Sequence, residues 1–367
     1  MGDVAEKLVL SSLPNDKLLE LLKEINVIPL KFRNKLNLSE NISFGNEIEV
    51  NSLPLDTAVL VTELFNDVHE LEDKDRYVVH QEETADAEVV TPILTNSANN
   101  WSTFYDMYDM LYDTGATIGH NTSSHIHIGT HDINTPEKLS LLLKTLVVFE
   151  PIIFKFGYGV GDKPRNFLQY RSSDYCVFSV MSSPKRYRVF IEELEHFNYK
   201  SQGVMYGHFR EFLRQDLLFR PGFNFNNFDF SKLQYGIALD SPNKDDHFEI
   251  RCFNGTLNPA VAQNNINLIT HIVQAVIDGK IDKNYVESEY VKYKKKRYSF
   301  DKKFAKYEPK EGEQYNRLLD GFGKVKLEKA LKLADMIFDT EIDKWYFLKQ
   351  YLKLFNKEED YIKSLVK

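Results

Sequence analysis

The chain has 367 residues, of which 43% are hydrophobic and 27% charged, a composition typical of globular domains and not of disordered or fibrous chains. Its 46 basic and 54 acidic side chains give a formal net charge of −8. A negative field repels the phosphates of nucleic acid, so we expect no nucleic-acid partner. At about 150 residues per domain, the length allows two or three units, or one large α+β domain with an appendage.

The cysteine content and the apolar stretches predict a cytoplasmic protein without a membrane partner. Cys176 and Cys252 are the only cysteines, so the sequence encodes neither a disulfide framework nor a thiolate zinc site. The first residues carry no basic or apolar signal segment. The most apolar stretch, residues 139–154, is interrupted by two charged residues and Pro151, whereas a membrane span needs about 20 nearly uninterrupted apolar residues.

Hydrophobic periodicity divides the chain into three regions. Leucines at helical spacing after Pro14 predict a helix in an N-terminal segment, residues 1–40. Strand patterns then cover residues 42–50, 77–80, 88–94, 125–129, 234–239 and 247–253. Helical patterns cover residues 55–70, 101–114, 136–156, 207–217 and 259–277. These elements predict an α+β domain over residues 41–279, followed by a helical C-terminal region over residues 280–367.

Three predicted strands carry only acidic and basic residues on one face. Side chains two positions apart on a strand point to the same side of the sheet. The polar pairs that share a face are Glu47 with Glu49, His125 with His127, and Glu249 with Arg251. A solvated polar face is common in antiparallel sheets, so each pair alone has an ordinary structural explanation. Exposed strands usually vary this face with Thr, Ser and Lys, however, and these three do not.

If these strands belong to one sheet, their polar faces converge on a cluster that requires a counter-ion. Crowded and partly buried carboxylates cannot all ionise. Oxygen ligands outnumber the two imidazoles, which favours Mg²⁺ or Mn²⁺ over a His-rich zinc site. Glu88, in the next motif Glu88-Val89-Val90-Thr91-Pro92, is a candidate fourth carboxylate. Two other interpretations stay open: a metal-dependent hydrolase, since His-x-His also binds zinc, and a non-catalytic binding or structural protein.

At these residues the sequence resembles the amidoligase family, within the superfamily of glutamine synthetase and glutamate-cysteine ligase. The motifs that carry the resemblance lie at residues 44–49 (G-x-E-x-E), 88–92 (E-V-V-T-P), 124–129 (H-x-H), 234–240 and 249–257 (E-x-R-x-x-x-G-T-L), and together they cover roughly residues 42–275. The resemblance implies a curved, mostly antiparallel sheet that forms a funnel-shaped active site with flanking helices. It also implies ATP, two or more Mg²⁺ ions and amide-bond formation through an acyl phosphate.

The resemblance also implies a role for individual residues. Glu47, His125 and Glu249 would share one metal ion, and Glu49 and Glu88 would bind another. The nucleotide contacts would come from His127, Arg251, Asn254 and Arg171, with Arg251 and Glu249 as the catalytic residues. The expected substrates are an amine and a carboxylate on a small molecule, a peptide or a protein. The sequence leaves open whether the protein forms a homo-oligomer or joins a larger assembly.

Three positions depart from the family pattern. Gln81-Glu82-Glu83-Thr84 stands where the family has an Asp-Gly-Ser-like segment, which leaves the contacts to the amine and the substrate open. Asp240 replaces a common Asn, and His247 stands where glutamine synthetases have an arginine. The last two departures concern the contacts to the nucleotide.

Overall fold

The strands that the structure describes form one sheet. The computed structural model describes residues 8–119, 121–157, 191, 222–225, 227–229, 232–233, 246–292 and 327–366. The strands within them are β1 Ser43–Val50, β2 Val78–His80, β3 Ala87–Val90, β4 Leu94–Thr95, β5 Ser123–Gly129, β6 Phe223–Asn224 and β7 His247–Asn254. These seven strands are ordered β2-β3-β1-β5-β7-β6, and β4 pairs with β1 beside this path. Every pairing among them is antiparallel.

Helices pack against this sheet and form the described part of the C-terminal region. They are α1 Asn15–Val27, α2 Leu55–Val68, α3 Ala98–Asp113, α4 Pro136–Gly157, α5 Pro259–Ile277, α6 Leu327–Ile337, α7 Glu341–Leu352 and α8 Glu359–Val366. Local capping explains where two of them begin. Ser97 Oγ accepts the Asn100 backbone N–H at 3.1 Å at the start of α3, and Asn258 Oδ1 caps α5 ahead of Pro259. In the part of the chain that is described, no helix is long and apolar enough to cross a bilayer.

One face of the sheet packs against helices and holds the core. Phe44, Ile48, Ile126 and Ile250 point to this face and are at most 2% exposed. Helix α5 contacts β5, and α4 contacts β7. The ring of Phe44 stacks on Trp101 of α3, with 4.8 Å between centroids. Full burial of such side chains stabilises the fold by about 1.5–3 kcal/mol each, so the alternation of apolar residues fixes which face is left for polar groups.

A buried polar network aligns the two central strands with α3. Asn46 lies on the core face of β1 and is 1% exposed. Its Nδ2 donates to the hydroxyl of Tyr108 at 2.9 Å, and its Oδ1 accepts from Ser124 Oγ of β5 at 2.8 Å. Shifting β5 by one residue would leave these buried groups without partners, at a cost of about 1–3 kcal/mol each. The network therefore helps to hold the register on which the opposite face depends.

The N-terminal segment and the C-terminal helices pack together. Helix α8 contacts α1. Lys349 of α7 donates to the carbonyl oxygens of Ile25 and Asn26 at 3.0 and 3.1 Å, where α1 ends. Arg33 forms an ion pair with the buried Asp343 at 2.8 Å. The segments expected at residues 1–40 and 280–367 are thus joined through helix ends, and the domain bounds themselves stay a prediction.

The structure confirms a mixed α+β fold with a mostly antiparallel sheet and corrects one strand. The expected strand over residues 88–94 is two strands, β3 and β4, because Pro92 between them has no N–H to donate to a ladder. The expected strand 234–239 and helix 207–217 lie outside the described residues. The funnel shape stays a prediction.

Candidate functional site

The sheet brings the predicted polar residues onto one face. Residues directly opposite each other on antiparallel strands have Cβ atoms about 4.5–5.5 Å apart and point to the same side. The pairs that the ladder sets opposite are Glu47 with His125, Glu49 with Glu88, and His127 with Glu249. Residues that are distant in the sequence thus lie next to one another in one continuous polar row across strands β3, β1, β5 and β7. The prediction that their polar faces converge is confirmed.

Glu47 is the centre of this row. Its two carboxylate oxygens accept hydrogen bonds from His125 Nδ1 at 2.6 Å and from His127 Nε2 at 2.8 Å. Burial raises the pKa of Glu47, but the hydrogen bonds and charges of the two imidazoles outweigh burial and hold that pKa far below its usual range. Burial lowers the pKa of His125, but the Glu47 hydrogen bond and the charge of Glu249 outweigh it and raise that pKa. Without a metal ion, the hydrogen bonds from the two imidazoles therefore stabilise the ionised Glu47 carboxylate.

Glu49 is held in place by Ser123, a residue that the sequence analysis did not select. The backbone N–H of Ser123 donates to Glu49 Oε2 at 2.7 Å, and its hydroxyl donates to Glu49 Oε1 at 2.6 Å. Ser123 Oγ also lies 3.0 Å from His125 Nε2. Its position two residues before His125, on the same face of β5, is the sequence signal that identifies it.

Glu249 is positioned by two donors. Arg251 Nη1 donates to Glu249 Oε1 at 2.6 Å, and Asn224 Nδ2 of β6 donates to Oε2 at 2.8 Å. His125 Nδ1 lies 3.4 Å from Glu249 Oε1. The Nε atom of Arg251 is buried and has no hydrogen-bond partner among the described residues. The guanidinium thus has one buried N–H donor for which the described chain provides no acceptor.

Glu88 is the carboxylate with the weakest support from neighbouring groups. Its side chain is 9% exposed, and His80 Nδ1 lies 3.7 Å from its Oε1, beyond hydrogen-bond distance. Among the described residues, none donates a hydrogen bond to it. Burial and the charge of Glu47 raise the pKa of Glu88 to about 8. Without a cation, this carboxyl group is protonated at neutral pH.

Within the described ranges, three sets of side chains bring ligand atoms close enough to share an ion. Within each set, the ligand atoms lie within 4.8 Å of one another, which suits a cation bound at 2.0–2.6 Å by oxygens. The sets are Glu47, Glu88 and His125; Glu47, His127 and Glu249; and Glu49, Glu82 and Glu88. Glu47 therefore belongs to two sets, and His127 rather than His125 joins it with Glu249. How the ligands divide between ions stays a prediction.

Of two residues expected to bind the nucleotide, Asn254 and Arg171, the structure describes only Asn254. Asn254 is described and lies opposite Ser123, on the face of Glu49 and His125. A β-bulge makes this orientation possible, since Ser124 pairs with Phe253 but Ile126 pairs with Ile250. The extra residue on β7 reverses the alternation after Arg251. Arg171, and the departure at Asp240, lie outside the described residues.

His247, the third departure, sits at the edge of the polar row. Its ring makes an edge-on contact with His127, with 4.8 Å between centroids. Its Nε2 lies 3.0 Å from Asn227 Nδ2. An imidazole thus stands beside the predicted phosphate ligand His127.

A family model described as "putative amidoligase enzyme" matches residues 63–156. This part of the chain contains Glu88, His125 and His127 and runs from α2 to α4. No curated protein matches the chain. The match supports an amidoligase family for the segment that includes β3 and β5 of the polar row.

Proposed function

We propose that the protein is an ATP- and Mg²⁺-dependent ligase that joins a carboxylate to an amine through an acyl phosphate. The observation that carries the proposal is the convergence of Glu47, His127, Glu249 and their neighbours on one face of the sheet. The family match at residues 63–156 covers β3 and β5 of this face and supports a ligase. The proposed substrates are an amine and a carboxylate on a small molecule, a peptide or a protein.

The residues of the polar row fit divalent cations. Glu47, Glu49, Glu88 and Glu249 offer carboxylate oxygens, the donors that Mg²⁺ and Mn²⁺ prefer. When bound, such ions neutralise the phosphates of ATP and align them for transfer. Glu88 accepts no hydrogen bond from any residue that the structure describes, which is the condition expected of a ligand whose partner is a cation.

Arg251 is the proposed catalytic cation of the chain itself. Its side chain is 21% exposed, and Glu249 fixes one end of the guanidinium. Its positive charge, held beside Glu249, is suited to an oxygen of the transferring phosphoryl group. Preorganised donors of this kind contribute about 10²–10³-fold in turnover.

The reaction consists of two balanced transfers. An oxygen of the substrate carboxylate attacks the γ-phosphorus of ATP, and the bond to the bridging oxygen breaks, so ADP leaves with its electron pair. The amine then attacks the acyl carbon of the acyl phosphate, and inorganic phosphate leaves. The amine loses one proton in this second step, and the departing phosphate accepts it. The residues of the polar row would contribute by positioning the phosphates and by stabilising their negative charge, as expected for phosphoryl transfer.

The site favours this reaction over a zinc-dependent hydrolase. A hydrolytic zinc site uses histidine-rich ligand sets with an open position. Here both imidazoles donate to one carboxylate, and four glutamates surround them.

An assay with hydroxylamine tests the function without knowledge of the natural amine. The protein is incubated with ATP, Mg²⁺, hydroxylamine and a panel of amino acids and acidic peptides, and ADP and hydroxamate are measured. We expect both products in equal amounts. Glu249→Gln and Arg251→Ala should each lower turnover by about 10²-fold or more, whereas Glu83→Gln should not. The proposal is wrong if both variants keep full turnover, or if the zinc-loaded protein cleaves amides without ATP.

A further inference from the structure

Glu82 extends the polar row from the loop between β2 and β3. One carboxylate oxygen of Glu82 lies within 4.8 Å of ligand oxygens of both Glu49 and Glu88. Glu82 belongs to the segment in which the chain departs from its family pattern, and the sequence analysis gave it no role as a ligand. The departing segment thus places a carboxylate beside Glu49 and Glu88.

The loop is fixed beside the site by contacts just after Glu82. Asn121 Nδ2 donates to the carbonyl oxygen of Thr84, and Asn121 exchanges hydrogen bonds with Asn51 at the end of β1. Asp86 Oδ2 accepts the Ser52 N–H at 2.7 Å. These contacts connect the loop to the end of β1 and to the segment before β5. They hold Glu82 close to two other acidic groups although like charges repel.

The second observation that points to a ligand is the state of Glu88. More than nine-tenths of its side chain is buried, and it faces Glu49 and Glu82. No described residue donates a hydrogen bond to it, and His80 Nδ1 remains 3.7 Å away. A buried carboxylate of this kind normally has a donor or a cation as its partner.

We propose that Glu82 is a ligand of a divalent cation that it shares with Glu49 and Glu88. The inference rests on the proposed function for the identity of the ion, Mg²⁺ or Mn²⁺. Three carboxylates on one ion are compatible with the oxygen coordination of both metals. The position of Glu82 makes the β2–β3 loop part of the cation site, so binding of the ion stabilises this loop.

Titration with Mn²⁺ alone tests the inference, with free Mn²⁺ followed by electron paramagnetic resonance. The full chain is compared with Glu82→Gln and with Glu83→Gln, which removes the same charge from the neighbouring exposed position. We expect Glu82→Gln to weaken one class of Mn²⁺ sites by about tenfold or more, because affinity follows the number of charged ligands. Glu83→Gln should change the affinity by less than about twofold, since exposed charges are screened.

Thermal melting separates a ligand from a structural residue. If Glu82 is a ligand, Glu82→Gln keeps or raises the melting temperature of the metal-free protein, because it relieves repulsion, and it reduces the gain that Mn²⁺ produces. The inference is overturned if Glu82→Gln binds Mn²⁺ as the original chain does, if Glu83→Gln weakens binding equally, or if Glu82→Gln melts earlier with and without Mn²⁺. No ATP or substrate is present, so failure of the ligase proposal leaves these results unchanged.

Discussion

The affinity of the site for Mn²⁺ should rise with pH up to about 8. Glu88 must lose its proton before it can bind a cation, and burial and the charge of Glu47 raise its pKa to about 8. Such a group is half ionised at pH 8 and about 1% ionised at pH 6. Protonation of Glu88 alone should therefore make the apparent affinity for Mn²⁺ about 50-fold weaker at pH 6 than at pH 8. His125 acts in the same direction, since its pKa is raised and only its neutral form binds metal.

The assay is calorimetric titration of Mn²⁺ at pH 6, 7 and 8, each in two buffers of different ionisation enthalpy. The difference between buffers gives the number of protons released on binding. Glu88→Gln cannot titrate, so at pH 6–7 it should release about one proton fewer than the original chain and show a weaker pH dependence. The reasoning is refuted if the original chain binds equally well at pH 6 and pH 8, or if Glu88→Gln releases as many protons as before.

The raised pKa of Glu88 also makes the folding stability of the metal-free protein depend on pH. Below about 4.5, the carboxyl group is protonated in both the folded and the unfolded state. Between about 4.5 and 8, the unfolded chain loses a proton that the folded protein keeps, so this group contributes less stability as pH rises through that window. Glu88→Gln should therefore melt progressively later than the original chain as pH rises from 4.5 to 8. A constant difference across this range would contradict the assignment.

The remaining predictions concern the support of the site. Ser123→Ala removes the hydroxyl that donates to Glu49 at 2.6 Å and should lower the free energy of unfolding by about 1.5–3 kcal/mol, measured by urea denaturation without metal. Asn46→Leu leaves two buried hydroxyl groups without their amide partner and should cost about 1–3 kcal/mol in the same measurement. Gly255→Ala places a methyl group 2.6 Å from Thr122 Oγ1 and should cost about 1–3 kcal/mol, whereas Gly45→Ala meets only ordinary contacts at 3.7 Å or more and should be tolerated. Equal melting temperatures for Gly255→Ala and Gly45→Ala would contradict the last prediction.

The polar row could be predicted from the sequence because it depends only on alternation. Side chains two residues apart share a face whatever the strand pairs with, so Glu47 and Glu49, or His125 and His127, needed no knowledge of the fold. The core face followed from the same pattern, since the apolar residues between them are buried. What alternation leaves open is the register between strands. The buried Asn46 network contributes to that register across a long stretch of chain.

Other parts of the site depend on contacts between distant segments. The bulge in β7 places Asn254 on the polar face, although strict alternation from Glu249 would place it with the core. Asn224 supports Glu249 from β6, a strand of two residues that is too short to show a period. Glu82 reaches the row because Asn121 and Asn51 fix its loop. None of these three features produces a periodic pattern in the sequence.

Diffraction from crystals grown with Mn²⁺ and a non-hydrolysable ATP analogue tests the central claim most directly. The anomalous signal of Mn²⁺ locates each ion independently of the protein density. The account predicts ions bound by the oxygens of Glu47, Glu49, Glu88 and Glu249, with a phosphate of the nucleotide on Arg251 and His127. Nucleotide and Mn²⁺ bound away from this face of the sheet, with the glutamates still directed at the imidazoles, would contradict it.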